Sequence, residues 1–331
     1  MSKQSITVIG GGSWATALVK ILSNGPVKIN WWLRNADAVD HLLRYHHNPH
    51  YLSDVEFDME KVFPTTHLVQ SIDDAQWIIL AVPSAFLKEA LHPLSNAHFA
   101  GRHIFSAIKG IVPDTNQIVG EYMSNTYGIP LSHIGVITGP CHAEEVAMEK
   151  LSYLTIASPD NHIASEMAAF LTCRYIRTVI SDDIYGTEYS AVLKNIMALA
   201  SGIYHGLGYG DNFQAVLISN ALREIKRFVD AVHPIERDIK DSAYLGDLLV
   251  TAYSQFSRNR TFGSMIGKGY TVQSAQLEMN MIAEGYYAVA GIHEVIKQYN
   301  LSMPITEAVY RVLYENAVPR SEMQQLTEQL S

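Results

Sequence analysis

The sequence predicts an α/β domain followed by an all-helical domain. Three observations carry this reading. Short apolar strands alternate with helical patterns through the first half, strand signals stop near Ser181, and long helical periodicities fill the remainder. Strands spaced by helices imply βαβ units and a mostly parallel sheet. The 331 residues are enough for about two domains at roughly 100–200 residues each. The expected boundaries are 1–182 and 183–331, with Asp183 placed to cap the helix that follows.

The elements follow in order. Residues 6–9 are a short β-branched run. Residues 13–23 put Ala15, Leu18, Val19 and Leu22 on one helical stripe, and Asn24-Gly25-Pro26 ends that helix. Val27, Ile29, Trp31 and Leu33 alternate as a second strand, and residues 36–45 read as a helix. Residues 78–82 form a buried strand stopped by Pro83. Further strands are expected at 103–108, 135–138, 153–157 and 175–180, with a helix around 162–171 between the last two. Helices are then expected over 184–204, 212–229, 242–256, 273–300 and 304–316.

Composition excludes several classes. The charged fraction is 17%, below the usual ~25%, which argues against a disordered chain. The net charge of −9, with no long basic run, disfavours nucleic-acid or anionic-membrane partners. Two cysteines, Cys141 and Cys173, cannot frame a chain of this length with disulfides and fit a reducing compartment. The opening residues lack a signal-peptide apolar stretch, and the longest apolar runs fall far short of the ~18 residues of a membrane span. A soluble cytoplasmic protein is expected. The tract from Tyr45 to Tyr51 is rich in histidine, yet no carboxylate or cysteine completes a site nearby, so no metal is expected. Cys141 and His142 lack an orienting third group, so a thiol nucleophile is not expected either.

The strand at 6–9 runs directly into G-x-G-x-x-A, with Gly10, Gly12 and Ala15 at the motif positions, and then into a helix. The first glycine allows the tight turn, the second lets backbone approach a pyrophosphate, and the small third residue packs helix on strand. The helix N-terminus then faces phosphate. This is the dinucleotide-binding, Rossmann-type pattern. An NAD site usually has Asp or Glu at the end of the second strand, whereas this chain has Arg34, which would pair with a 2′-phosphate. NADP(H) is expected to be preferred, with NAD(H) still open.

Three further features point to chemistry. Lys109 follows a strand on the side where α/β sheets bind ligands, well placed for an anion or a carbonyl oxygen. Lys194, with Asn195, interrupts an apolar helical stretch, and desolvation lowers the pKa of such a lysine toward a value suited to proton transfer. Asp247 interrupts another apolar run and calls for a partner, and Ser257-Arg258-Asn259-Arg260 is a dense donor set suited to phosphate.

Taken in order and spacing, GGGSWATAL at 10–18, AVPS at 81–84, Lys109-Gly110, GPCHAEEV at 139–146, LKNI at 193–196, GDLLVT at 246–251, SRNR at 257–260 and AEG at 283–285 resemble the bacterial-type NAD(P)-dependent glycerol-3-phosphate dehydrogenases. The resemblance runs from Gly10 to about Glu307. It implies interconversion of dihydroxyacetone phosphate and sn-glycerol 3-phosphate by hydride transfer, supplying glycerol phosphate for phospholipids, with the site in a cleft between the domains. It implies that Ser13, Trp14, Arg34, Lys109, Ala143, Arg258, Ile282 and Glu284 line the cofactor, and that Lys194 exchanges the proton at the substrate C2 oxygen. Lys109, Gly139, Cys141, Lys194, Asp247, Ser257, Arg258 and Asn259 would contact substrate. A homodimer is compatible with it.

The chain departs from the pattern in three places. Ala15 replaces the usual third glycine, Cys141 stands where Ser or Thr is common, and residues 239–246 lack the Gly-rich stretch often found there. The second of these weakens a hydroxyl hydrogen bond at 141. The alternatives are a β-hydroxyacid dehydrogenase of related architecture, disfavoured by Gly-Pro-Cys-His-Ala-Glu-Glu at 139–145, and a non-catalytic NADP-binding sensor, which would not need Lys194, Asp247 and Arg258 together.

Overall fold

The structure is a computed structural model that describes residues 4–279 and 283–331. The first half alternates β1 (Ser5–Ile9), α1 (Ser13–Leu22), β2 (Lys28–Trp32), α2 (Ala36–Tyr45), β3 (Val62–Thr65), α3 (Leu68–Ile72), β4 (Trp77–Leu80), α4 (Leu87–Leu91), α5 (Asn96–Phe99) and β5 (His103–Ser106). A small antiparallel hairpin follows, β6 (Ile111–Val112) and β7 (Gln117–Ile118), and then α6 (Val119–Tyr127), β8 (Ile134–Thr138), α7 (Ala143–Ala147), β9 (Ser152–Ala157), α8 (Asn161–Leu171) and β10 (Ile176–Ser181). Eight strands form one sheet in the order β10-β9-β8-β5-β4-β1-β2-β3. Every neighbouring pair is parallel except β8 and β9. The sheet is therefore mostly parallel, as the alternation predicts. The strand order reverses between β1 and β4, and ligands of open α/β sheets bind at such a switch point.

Strand β3 was not expected from the sequence. It contains Pro64, which cannot donate to a ladder, and the structure places it at the edge of the sheet, where that loss is tolerated. The helices α3, α4, α5 and α7 are only four or five residues long, too short to show a helical period.

The helical half comprises α9 (Ile184–Gly206), α10 (Asp211–Val232), α11 (Asp247–Tyr253), α12 (Arg258–Gly267), α13 (Val272–Glu278), α14 (Glu284–Tyr299), α15 (Pro304–Tyr314) and α16 (Pro319–Thr327). Two expectations need correction here. The run 242–256 opens with one π-helical turn over Ser242–Gly246 before α11. The run 273–300 is not continuous, because Met279 is extended and ends α13.

The chain divides into two compact units, one of Met1–Ile108 with Val119–Ile184, the other of Lys109–Ile118 with Tyr185–Ser331. The expected first domain, 1–182, included residues 109–118. In the structure they group with the helices because the hairpin carries Ile111 and Ile118 into the core built from Leu193, Ile196, Phe228 and Val289.

Candidate active site

In the first unit, Gly10 ends β1 with its N–H bonded to the Trp32 carbonyl at 3.0 Å. Its φ of +138° and a Cβ that would stand 2.3 Å from the Ala81 carbonyl oxygen make glycine obligatory. Gly12 is the N-cap of α1, and a Cβ there would meet nothing within 4 Å. The loop thus leaves open space at the start of a helix, the feature a pyrophosphate needs. Ser13 and Trp14 form the first turn of α1, and Ala15 is fully buried, as close packing of helix on strand requires. From below, the Trp31 indole donates to the Gly10 carbonyl at 2.6 Å. From the side, buried Asn48 donates to the Gly11 carbonyl at 3.1 Å and to the Thr16 hydroxyl at 2.9 Å, while its oxygen accepts from the His50 and Tyr51 N–H groups. These residues fit a dinucleotide.

Arg34 follows β2 with its side chain 70% exposed, 3.6 Å from Glu89 and over the Phe86 ring. Its neighbour Asn35 is committed elsewhere, as the N-cap of α2 accepting from Asp37 and Ala38. Gly139 follows β8 with φ +114°, and a Cβ there would press on the Tyr153 carbonyl at 2.8 Å. Cys141 is half-buried, neither cysteine is in a disulfide, and Ala143 opens α7.

The second unit holds the charges. Asp247, the first residue of α11, is 1% exposed and bridges two ammonium groups. Oδ1 lies 2.5 Å from Lys194 Nζ, and Oδ2 lies 3.3 Å from Lys109 Nζ. Thr251, one turn further along α11, donates its hydroxyl to the Asp247 backbone carbonyl at 2.7 Å and accepts from Lys194 Nζ at 2.9 Å. Two of the Lys194 protons are thereby engaged. Burial pushes the Lys194 pKa down, the Asp247 carboxylate opposes this, and the Lys109 ammonium adds to the lowering; the net direction is downward. Two lysines share one carboxylate, an arrangement able to stabilise an oxygen that gains negative charge.

Next to it lies the start of α12. Ser257 is its N-cap and accepts from the Arg260 N–H at 3.3 Å. Arg258 is half-buried in the first turn. Asn259 donates to Asn195 Oδ1 at 2.9 Å and accepts from the Gly285 N–H at 2.9 Å, while Asn195 donates to the Lys109 carbonyl at 2.8 Å. Glu284 is the first residue of α14. Ile282 lies outside the described residues.

The structure therefore brings Lys109, Lys194 and Asp247 into direct contact and links Asn259 to them through Asn195. It holds Gly10, Gly12, Ser13 and Trp14 together in the other unit. Three residues had no role assigned from the sequence. Thr251 stands four positions after Asp247, on the same helix face, and that spacing was the available signal. Asn195 is a buried polar residue beside a buried lysine. Asn48 sits in a loop, where local patterns carry little information. Among the described residues, no group of His, Cys, Asp or Glu could hold a metal ion, and no helix is long and apolar enough to cross a membrane.

A Rossmann-type unit with a phosphate loop, followed by a helical unit with a buried lysine–aspartate cluster, defines the class of two-domain nicotinamide-dependent dehydrogenases. The chain belongs to the NAD-dependent glycerol-3-phosphate dehydrogenase family: the model of that family's N-terminal domain matches residues 5–164, and that of its C-terminal domain matches 183–324. It is 36% identical to a glycerol-3-phosphate dehydrogenase [NAD(P)+] of Salinibacter ruber over 97% of this chain and 94% of the relative. An Exiguobacterium protein of the same description is also 36% identical, over 97% and 94%. The crystal structure of glycerol-3-phosphate dehydrogenase from Coxiella burnetii superposes with a TM-score of 0.92 at 30% identity, covering 98% of this chain and 99% of that one.

Proposed function

We propose that this protein interconverts dihydroxyacetone phosphate and sn-glycerol 3-phosphate with NAD(P)H. The observation that carries the reading is the Lys109–Asp247–Lys194 cluster, two lysines on one buried carboxylate. The cofactor, when bound, supplies or accepts the hydride. Gly10, Gly12, Ser13 and Trp14 form the phosphate cradle that binds it, and Arg34 favours the 2′-phosphate. Ala143, Arg258, Ile282 and Glu284 are further cofactor contacts in this reading. Lys194 gives its proton to the substrate C2 oxygen on reduction and takes it back on oxidation. Lys109 stabilises the negative charge on that oxygen, and Asp247 orients both lysines. Gly139 and Cys141 border the substrate, while Ser257, Arg258 and the first N–H groups of α12 hold its phosphate, a remote anchor that orients the reacting carbon.

The Asn259 side chain is spent on Asn195 and Gly285, so its phosphate contact in this reading is its backbone N–H. Supply of glycerol phosphate to phospholipid synthesis, a cytoplasmic location and a homodimer without nucleic-acid partners complete the proposal. The test is oxidation of NADPH and NADH with dihydroxyacetone phosphate against a panel of 2-keto and 3-hydroxy acids. Turnover of a carboxylate in preference to the phosphate would overturn it. Lys194→Ala should lower kcat by ~10²–10⁴-fold with cofactor binding retained.

A further inference from the structure

Asn195 lies at the centre of a chain of contacts. Its amide nitrogen holds the Lys109 backbone carbonyl, its oxygen holds Asn259, and Asn259 holds the Gly285 N–H. The segments that carry Lys109, Lys194, Arg258 and Glu284 are therefore registered through two side chains, Asn195 and Asn259. Asn195 reaches Asn259 because α9 and α12 touch at their backbones. A Cβ on Gly263 would lie 2.2 Å from the Leu199 carbonyl oxygen, and one on Gly202 would lie 2.1 Å from the Arg260 carbonyl oxygen. One turn on, Gly267 and Gly206 face each other, and a Cβ on either would lie within 3.0 Å of the other's Cα. Glycines at 202 and 206 on α9, and at 263 and 267 on α12, share the spacing of four that keeps them on one helix face. Gly285 makes a third close approach, with its Cβ position 2.7 Å from the Asn195 carbonyl oxygen.

We infer that Asn195 and the backbone crossing of α9 with α12 are a positioning element that sets the span between the proton-handling Lys194 and the phosphate-holding start of α12. α9 carries the group acting on the oxygen at one end of the substrate, and α12 carries the groups acting on the phosphate at the other. A substrate that uses both ends at once senses the distance between the helices, whereas one without a phosphate does not. The inference rests on the assignment of phosphate to α12 made above.

The test compares kcat/KM for dihydroxyacetone phosphate with that for unphosphorylated dihydroxyacetone in Gly263→Ala. The added methyl group must separate the helices near Asn259. Activity on the phosphate is expected to fall by about tenfold or more, while activity on dihydroxyacetone stays within about threefold of wild type. Gly206→Ala, at the end of α9 where the helix yields more readily, should fold and show the same change in ratio to a smaller extent. Asn195→Ala should also depress the ratio. Equal losses on both substrates in these variants would overturn the inference, as would failure of both glycine variants to fold, since the seam would then serve the fold alone. Arg258→Ala is the separate control: if it lowers both substrates equally, the phosphate assignment itself fails, whatever the glycine variants do.

Discussion

Asp247→Asn removes the one negative charge between Lys109 and Lys194 at nearly constant volume. Lys194 then keeps its burial and its cationic neighbour but loses the group that opposes both, so its pKa must fall further below the ordinary lysine value. Two unit charges ~4 Å apart attract by about 4 kcal/mol at an effective dielectric near 20. At 1.36 kcal/mol per unit that is ~3 pK units. Reduction of the ketone needs the protonated lysine, so kcat declines as pH rises through this pKa, and in the variant that alkaline limb should move down by ~2–3 units. At neutral pH turnover should drop on the order of a hundredfold and recover partly on acidification. Stability follows the same sign. With the folded pKa below the unfolded one, stability is fullest above the unfolded pKa and declines as pH falls toward the folded pKa. The variant extends that decline to lower pH, so its Tm deficit should be largest in acid and shrink as pH rises. The assay is the pH profile of kcat with saturating dihydroxyacetone phosphate and NADPH. An alkaline limb that stays within about half a unit of wild type, or moves upward, would refute the coupling.

Three further outcomes are expected. Glu224 is buried in α10 and caps α15 by accepting from Ile305, Thr306 and the Thr306 hydroxyl, and burial pushes its pKa up to about 7. Stability should therefore decline as pH rises from its unfolded value of 4.5 through about 7, and Glu224→Gln should flatten that dependence in thermal melts without altering KM. Asn48→Ala should raise the cofactor KM roughly tenfold with little change in kcat, because the lost bonds hold the glycine loop and touch no reacting atom. Arg34→Asp should shift the NADPH/NADH ratio of kcat/KM by roughly tenfold to a hundredfold toward NADH, the worth of one charge-assisted contact. An unchanged ratio would remove Arg34 from the cofactor site.

The sequence made the frame legible because its elements repeat a period. Residues 13–22 show one apolar stripe, and the strand–glycine–helix order of the phosphate loop is local. The charges of the candidate site were legible for the opposite reason, since Lys194 and Asp247 break apolar runs and a buried charge needs a partner. Which partner each would take was not legible, because the Lys109–Asp247 pair spans 138 positions and the Lys194–Asp247 pair spans 53. The membership of residues 109–118 in the helical unit was hidden for the same reason: the hairpin is too short to announce itself, and only packing of Ile111 and Ile118 assigns it. Pro64 concealed β3, since proline reads as a breaker until the strand is known to be an edge.

A buried ion pair is a poor way to stabilise a fold. Taking Lys194 and Asp247 out of water costs several kcal/mol per ion, and apolar residues of similar volume are often neutral or better there. The chain nevertheless places Lys109 and Lys194 on one carboxylate. In the proposed reaction that arrangement gains its value when the substrate oxygen becomes negative, because the attraction then acts in a preorganised site without reorganisation. The same logic explains the rigidity around it. Preorganisation helps only if the groups are held in place before the reaction. Thr251 fixes the orientation of Lys194 from α11, Asn195 fixes the Lys109 backbone from α9, and the glycine contacts fix α9 against α12. Backbone touching backbone at the glycines leaves the start of α12 little freedom relative to Lys194 on α9.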